Sequence, residues 1–318
     1  MGDKKIFSIV VPVYQNDANL DDTIPKLLSL QDRLPDYNLE LVLVDDGSTD
    51  NSYNLLIKYY NLHIDKIKIV KLTKNFGQIP AIQAGLKAAS GDCAGIISAD
   101  LQDPYELFID MIRKWENGIK LIIGERENRE EAIRQNFISM LYWKMVNKYA
   151  VKDYPLGGFD FCLIDKQIMK DINEINEKNT HIFALIFSLG YKYEIIPYTR
   201  KKRVAGKSQW TFPKKIKLLT DTFIAFSYLP IRGISYLGLG ISALSFLYAL
   251  VIAVSKFIFG NKYEGWTTIV VLVSFFSGLI LLTLGIIGEY LWRILDEVRK
   301  RPNYVIDKIL ENTQDTKK

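Results

Sequence analysis

The sequence predicts an α/β head built on a mainly parallel sheet, followed by a two-helix transmembrane hairpin. Three observations predict it. Short runs rich in Val, Ile and Leu alternate with helix-like segments over the first two-thirds of the 318 residues. Two stretches of 23 and 24 residues, Gly233–Ser255 and Gly265–Gly288, then carry no charge. Basic residues crowd the outer flanks of those stretches and are sparse in the loop between them.

Strands are expected at Phe7–Val13, Leu39–Val44, Ile67–Leu72, Cys93–Ser98 and Lys120–Gly124. Each is short and apolar between polar turns, the pattern of strands covered on both faces. Helices are expected between them at Asn51–Tyr60, Gly77–Ala89 and Pro104–Trp115, and such alternation builds right-handed βαβ units. Sheets of this kind bind ligands beyond the carboxyl ends of their strands. Farther along, Trp210, Phe212, Ile216, Leu219, Phe223 and Phe226 share one helical face, with Lys214, Lys215 and Lys217 at its edges. That pattern predicts a helix lying among lipid headgroups. Phe137–Tyr149 reads either as a second such helix or as ordinary core.

Each uncharged stretch matches the ~20 apolar residues that span a bilayer, and the nine residues Lys256–Glu264 suffice for a hairpin. Nine basic residues and one acid lie between Pro197 and Arg232, and Arg293, Arg299, Lys300 and Arg301 follow the second stretch. The loop has only Lys256 and Lys262, with Glu264. The positive-inside bias therefore places the head and both termini in the cytoplasm. The expected organisation is a cytoplasmic head over 1–209, an interfacial helix region over 210–230, two spans within 231–292 and a cytoplasmic tail over 293–318. Gly233, Gly238 and Gly240 offer a small-residue face for packing hairpins into a homo-oligomer. Phe7–Val13 is too short, and too soon broken by Pro12, to be a signal peptide.

Composition excludes several classes. Two cysteines, Cys93 and Cys162, make neither a disulfide framework nor a Cys-rich zinc site. The two histidines, His63 and His181, lack ligand-spaced partners, which argues against a His-based zinc hydrolase. No G-x-G-x-x-G follows the first strand, and no P-loop lysine motif occurs. The basic run Arg200–Arg203, beside a membrane span, suits anionic lipid rather than nucleic acid.

Acidic side chains gather at strand ends instead. Pro12-Val13-Tyr14 closes the first strand, Val44-Asp45-Asp46-Gly47-Ser48 the second, and Ala99-Asp100-Leu101-Gln102-Asp103-Pro104 follows the fourth. A carboxylate there can accept the N–H of a base or the hydroxyls of a ribose, and a tyrosine supplies a stacking face. Asp100 and Gln102 offer oxygen ligands two residues apart, suited to Mg²⁺ or Mn²⁺. Asp50 and Asp103 read as caps of the helices that follow, Asp103-Pro104-Tyr105-Glu106 resembling a capping box. Asp45 reads as a turn former. Asp46, Asp100 and Gln102 are left for a ligand.

In this order, these segments resemble the inverting polyprenyl-phosphate glycosyltransferases, the group that holds bactoprenol glucosyltransferases and dolichyl-phosphate mannose synthases. The likeness extends to Arg203-Val204-Ala205-Gly206-Lys207-Ser208-Gln209-Trp210, to the two spans and to Gly288-Glu289-Tyr290 and Arg301-Pro302. It implies a GT-A fold, the Rossmann-like architecture of nucleotide-diphospho-sugar transferases. It also implies transfer of one sugar to a polyisoprenyl phosphate with inversion at the anomeric carbon. By that likeness Pro12, Tyr14 and Asp46 hold the base and ribose, and Asp100 and Gln102 hold the metal on the diphosphate. Arg126 faces the same phosphates, while Arg203, Lys207 and Ser208 receive the acceptor phosphate. Asp160, within Gly157-Gly158-Phe159-Asp160-Phe161, falls at an acidic position used in catalysis, as an orienting group or a base. A structural carboxylate beside a Gly-Gly turn is the other reading.

This chain has Ser98 where the family usually has Asp, Asn16 where related synthases often have Glu, and Gln209 where they often have Lys. UDP-glucose is the expected donor, ahead of UDP-GlcNAc and UDP-galactose, with undecaprenyl phosphate as acceptor. Two other functions compete. A processive polysaccharide synthase would need more spans and a Q-x-x-R-W signature, which is absent. A non-enzymatic lipid carrier or scaffold draws its support from Ser98.

Overall fold

The computed structural model describes residues 4–126, 147, 152–155, 158–175, 181–199 and 265–312, with single positions between 233 and 258. The chain divides into two units, Met1–Leu219 with Pro302–Lys318, and Thr220–Arg301.

The first unit holds one sheet of eight described strands in the order β7-β5-β6-β4-β1-β2-β3-β8. They are β1 Lys5–Val13, β2 Tyr37–Asp45, β3 Ile67–Leu72, β4 Cys93–Ile96, β5 Leu121–Arg126, β6 Cys162–Asp165, β7 Tyr193–Tyr198 and β8 Ile306–Leu310. The first five are the strands expected from the apolar runs, with ends that coincide or differ by at most two residues. β1 runs parallel to β2 and β4, β2 to β3, and β5 to β7. β6 lies antiparallel between β4 and β5, so those two share a direction. The carboxyl ends of β1, β2, β4 and β5 therefore open on one edge, and the mainly parallel sheet stands as predicted.

The core follows from the alternation of side chains along β1. Phe7, Ile9, Val11 and Val13 face a layer formed by α1 (Asp17–Leu28), α3 (Ser52–Leu62) and α5 (Phe108–Glu116). Leu20, Ile24, Leu27, Leu56, Phe108 and Met111 are wholly buried there. The short α2 (Leu30–Arg33) adds Leu30 to the same layer. On the opposite face α4 (Gln78–Ala88) lies against β1, β2 and β3 and touches α6 (Lys166–Glu174). The last described helix of this unit, α7 (Ile182–Ser188), precedes β7.

β8 was not among the expected strands. It closes the sheet beside β3 in antiparallel register, with Thr73 N donating to Val305 O at 3.0 Å and Lys71 paired to Asp307 at 2.8 Å. Part of the expected tail over 293–318 is thus built into the sheet of the head.

In the second unit, α8 (Trp266–Val298) runs 33 residues, ten beyond the predicted end of the span at Gly288. Among the described residues it is the one helix long and apolar enough to cross a membrane. The described positions between 233 and 258 are helical. Most of the first predicted span lies outside the described residues. So do the interfacial helix at 210–230, nearly all of Phe137–Tyr149, and Arg203, Lys207 and Ser208.

Candidate active site

The strand ends are laced together by their own backbone. Asp46 N donates to Val13 O at 2.9 Å, and Gln15 N donates to Ser48 Oγ at 3.2 Å. Gln15 takes a positive φ of 52° in the turn that leaves β1, and Asn16 Oδ1 accepts the Tyr14 N–H. Pro12 and Tyr14 end up half-buried beside the second strand end.

Asp45 forms the turn as expected, its Oδ1 accepting from Ser48 N at 3.2 Å. Asp46 does something the sequence did not reveal. Its two oxygens accept the backbone N–H groups of Phe76 and Gly77, at 2.7 and 2.9 Å. The carboxylate expected to meet a nucleotide therefore also braces the segment that follows β3. Burial pushes its pKa up to about 6 although both N–H groups favour the charged form. Gly47 makes the close approach possible: at φ 68°, a Cβ there would stand 2.4 Å from the carbonyl carbon of Lys74.

Beyond β4 the chain turns sharply. Thr23 Oγ1 donates to Ala99 O at 2.7 Å, and Leu101 takes a left-handed φ of 43°, uncommon for a branched side chain. This turn sets Asp100 half-buried and leaves Gln102 9% exposed, with Gln102 N 3.5 Å from Asp100 Oδ1. Among the described residues no group of three His, Cys, Asp or Glu side chains converges to hold a metal. One carboxylate and one amide oxygen fit an Mg²⁺ or Mn²⁺ that completes its shell with phosphate oxygens and water, not a preformed cage.

The next side chain departs from expectation. No side chain caps Tyr105–Leu107 or α5, and Asp103 is wholly buried. Its Oδ1 accepts from Tyr198 Oη, at the end of β7, at 2.5 Å. Asp50, by contrast, does receive the first N–H of α3 from Ser52, at 3.1 Å, and that of Asp17 at the start of α1, at 3.3 Å.

Arg126 and Asp160 meet. One terminal guanidinium nitrogen, Nη2, lies 2.6 Å from both oxygens of Asp160 and 3.7 Å from Asp103, and Nε donates to Tyr198 Oη at 3.2 Å. The two carboxylates overcome the burial that would otherwise favour a neutral guanidine, so Arg126 stays charged. His181 nearby is held neutral: burial drives its pKa down to about 4, with Asp160 pulling the other way.

Pro12, Tyr14, Asp46, Asp100, Gln102, Arg126 and Asp160 thus gather along one edge of the sheet. Asp103, Tyr198 and the Phe76–Gly77 amides belong to the same edge and were missed. Of these, Gly77 alone carried a sequence signal, a glycine where the backbone leaving β3 takes a φ of 103°.

A family model described as Glycosyl transferase family 2 matches residues 8–172. An uncharacterised glycosyltransferase of Bacillus subtilis, YkcC, is 34% identical over 95% of this chain and 93% of that protein. A prophage-derived bactoprenol glucosyl transferase of Shigella flexneri is 31% identical over 95% of this chain and 97% of its own length. A prophage bactoprenol glucosyl transferase homologue of Escherichia coli is 30% identical, over 95% and 98%.

Proposed function

The chain belongs to glycosyl transferase family 2 and is a glycosyltransferase, and from that premise we propose that it moves one glucose from UDP-glucose to undecaprenyl phosphate at the cytoplasmic membrane face. The observation that carries this is the gathering of Asp46, Asp100, Gln102 and the Arg126–Asp160 pair along one sheet edge, in a chain with a membrane-length helix. Relatives named as bactoprenol glucosyl transferases support this choice of acceptor class and sugar.

A lipid phosphate is already ionised near neutral pH, so it needs positioning more than deprotonation. The barrier lies in expelling a nucleoside diphosphate and in bringing two anions together. Arg126, with its charge fixed and its outer edge on the site, suits the diphosphate. Asp160 has both oxygens engaged by that guanidinium, which favours an orienting role over that of a base. Asp100 and Gln102 would hold the divalent cation, which when bound neutralises charge on the leaving diphosphate. Arg203, Lys207 and Ser208 remain the proposed acceptor-phosphate group, and a single displacement inverts the anomeric centre.

Strand pairing supports two spans. β8 follows α8 and pairs with β3, so both lie on one side of any membrane. The chain between them crosses an even number of times. If α8 crosses once, the uncharged stretch Gly233–Ser255 supplies the return.

The deciding experiment incubates the detergent-solubilised protein with undecaprenyl phosphate, Mg²⁺ or Mn²⁺ and a panel of nucleotide sugars. Glucosyl transfer from UDP-glucose in excess over the other donors, with inverted anomeric configuration by NMR, is expected. No lipid-linked sugar from any donor would overturn the proposal.

A further inference from the structure

Two carboxylates, Asp103 and Asp160, compete for one guanidinium. Asp103 has no solvent exposure, and a carboxylate that deep in a protein draws strongly on any cation within reach. Arg126 Nη2 is within reach, 3.7 Å away, yet the guanidinium makes its close contacts, at 2.6 Å, with the more exposed Asp160. The hydroxyl of Tyr198 stands between the rivals. It donates to Asp103 at 2.5 Å and accepts from Arg126 Nε at 3.2 Å.

We infer that Tyr198 is a positioning residue for Arg126: its hydroxyl satisfies Asp103 and pins Nε, leaving the outer edge of the guanidinium to Asp160 and the donor diphosphate. The ring is well placed to hold the hydroxyl still. Tyr198 meets Phe161 edge-to-face at 5.7 Å, Phe161 meets Phe108 at 4.9 Å, and Phe108 meets Phe7 at 5.4 Å, a series of aromatic rings running back into the core. Without the hydroxyl, the guanidinium turns inward to Asp103 and leaves both Asp160 and the phosphates. The inference rests on the reading of Arg126 as a diphosphate ligand, and the test separates the two.

Tyr198→Phe keeps the ring and its packing. The affinities of the full-length protein for UDP and for uridine, which lacks the diphosphate, are measured by calorimetry and ligand-observed NMR, alongside turnover and saturation by lipid phosphate. Tyr198→Phe is expected to lower UDP affinity about tenfold or more, as befits a lost hydrogen bond to a charged group. Uridine affinity and lipid saturation stay unchanged. Arg126→Ala abolishes the preference for UDP over uridine, and in that background Tyr198→Phe adds nothing. Equal losses for UDP and uridine, an unchanged UDP preference, or additive losses in the double variant would overturn the inference. An Arg126→Ala protein that keeps the full UDP preference would instead overturn the reading of Arg126. Should Tyr198→Phe fail to fold, Asp103→Asn removes the inward pull while leaving the ring intact. Asp103→Asn is then expected to keep the wild-type preference for UDP over uridine, because the guanidinium has no inward carboxylate to turn to; a UDP preference lost in Asp103→Asn would overturn the inference.

Discussion

Replacing Gly47 by alanine probes the contact between two strand-end loops. The new Cβ would stand 2.4 Å from Lys74 C, 2.6 Å from Asn75 N and 2.8 Å from Lys74 Cα, all backbone atoms with no rotamer to change. Two costs combine. Holding an L-residue at a φ of 68° costs ~1–2 kcal/mol, and forcing a methyl into packed atoms costs a further ~1–3 kcal/mol. The sum, ~2–5 kcal/mol, corresponds to a fall in melting temperature of roughly 4–20 °C for a domain of this size. Gly118 is the matched control. It also has a positive φ, 88°, but a Cβ there meets nothing within 4 Å, so Gly118→Ala carries the conformational cost alone. Thermal melting of both variants in the same detergent, with UDP affinity by calorimetry, gives the clash by difference. Gly47→Ala should melt lower than Gly118→Ala and lose UDP affinity, because displaced Lys74 and Asn75 drag Phe76 and Gly77 from Asp46. Equal melting points with unchanged UDP binding would refute the packing of the two loops.

Three further outcomes are expected. The folded chain keeps the Asp46 proton up to about pH 6, whereas the unfolded chain loses it near the ordinary value of 3.8. The stability of the wild type relative to Asp46→Asn is therefore greatest below pH ~4 and falls by on the order of 2–3 kcal/mol as pH rises through ~6; denaturant titrations showing a pH-independent difference would contradict this. Asp100→Asn should fold normally but lower transfer at least ~100-fold and weaken Mn²⁺ binding in the presence of UDP, read by electron paramagnetic resonance; undiminished Mn²⁺ binding would place the ion elsewhere. In intact cells, a cysteine at Asn261 should react with an impermeant thiol reagent and one at Asp307 should not; labelling at 307 from outside would sink the cytoplasmic assignment of the head.

Much of the sheet was legible because strands buried on both faces need unbroken apolar runs, as in Phe7–Val13 and Ile67–Leu72. β8 was hidden for the opposite reason. Ile306–Leu310 lies at the sheet edge with Asp307, Lys308 and Ile309 exposed, and its partner β3 lies far back in the sequence. The strand-end carboxylates were legible from position alone, but their partners were not. Asp103 followed by Pro104 and Glu106 satisfies a local capping rule, and nothing nearby announces that Tyr198, 95 residues later, takes the side chain instead. The bracing contacts of Asp46 were not legible, since backbone amides such as those of Phe76 and Gly77 leave little trace in composition.

The placement of β8 also orders the folding of the head in time. Leu72 and Ile306 are about 230 residues apart, which at ~5–20 residues per second is roughly 10–50 s of synthesis. Throughout that interval the outer edge of β3 offers unpaired N–H and C=O groups to any passing strand. The edge closes only after α8 has left the ribosome, so completion of the head reports that the apolar segments have already been made. A chain cut short before Ile306 would keep a sticky edge, and with it the mark by which chaperones and proteases distinguish unfinished from finished protein.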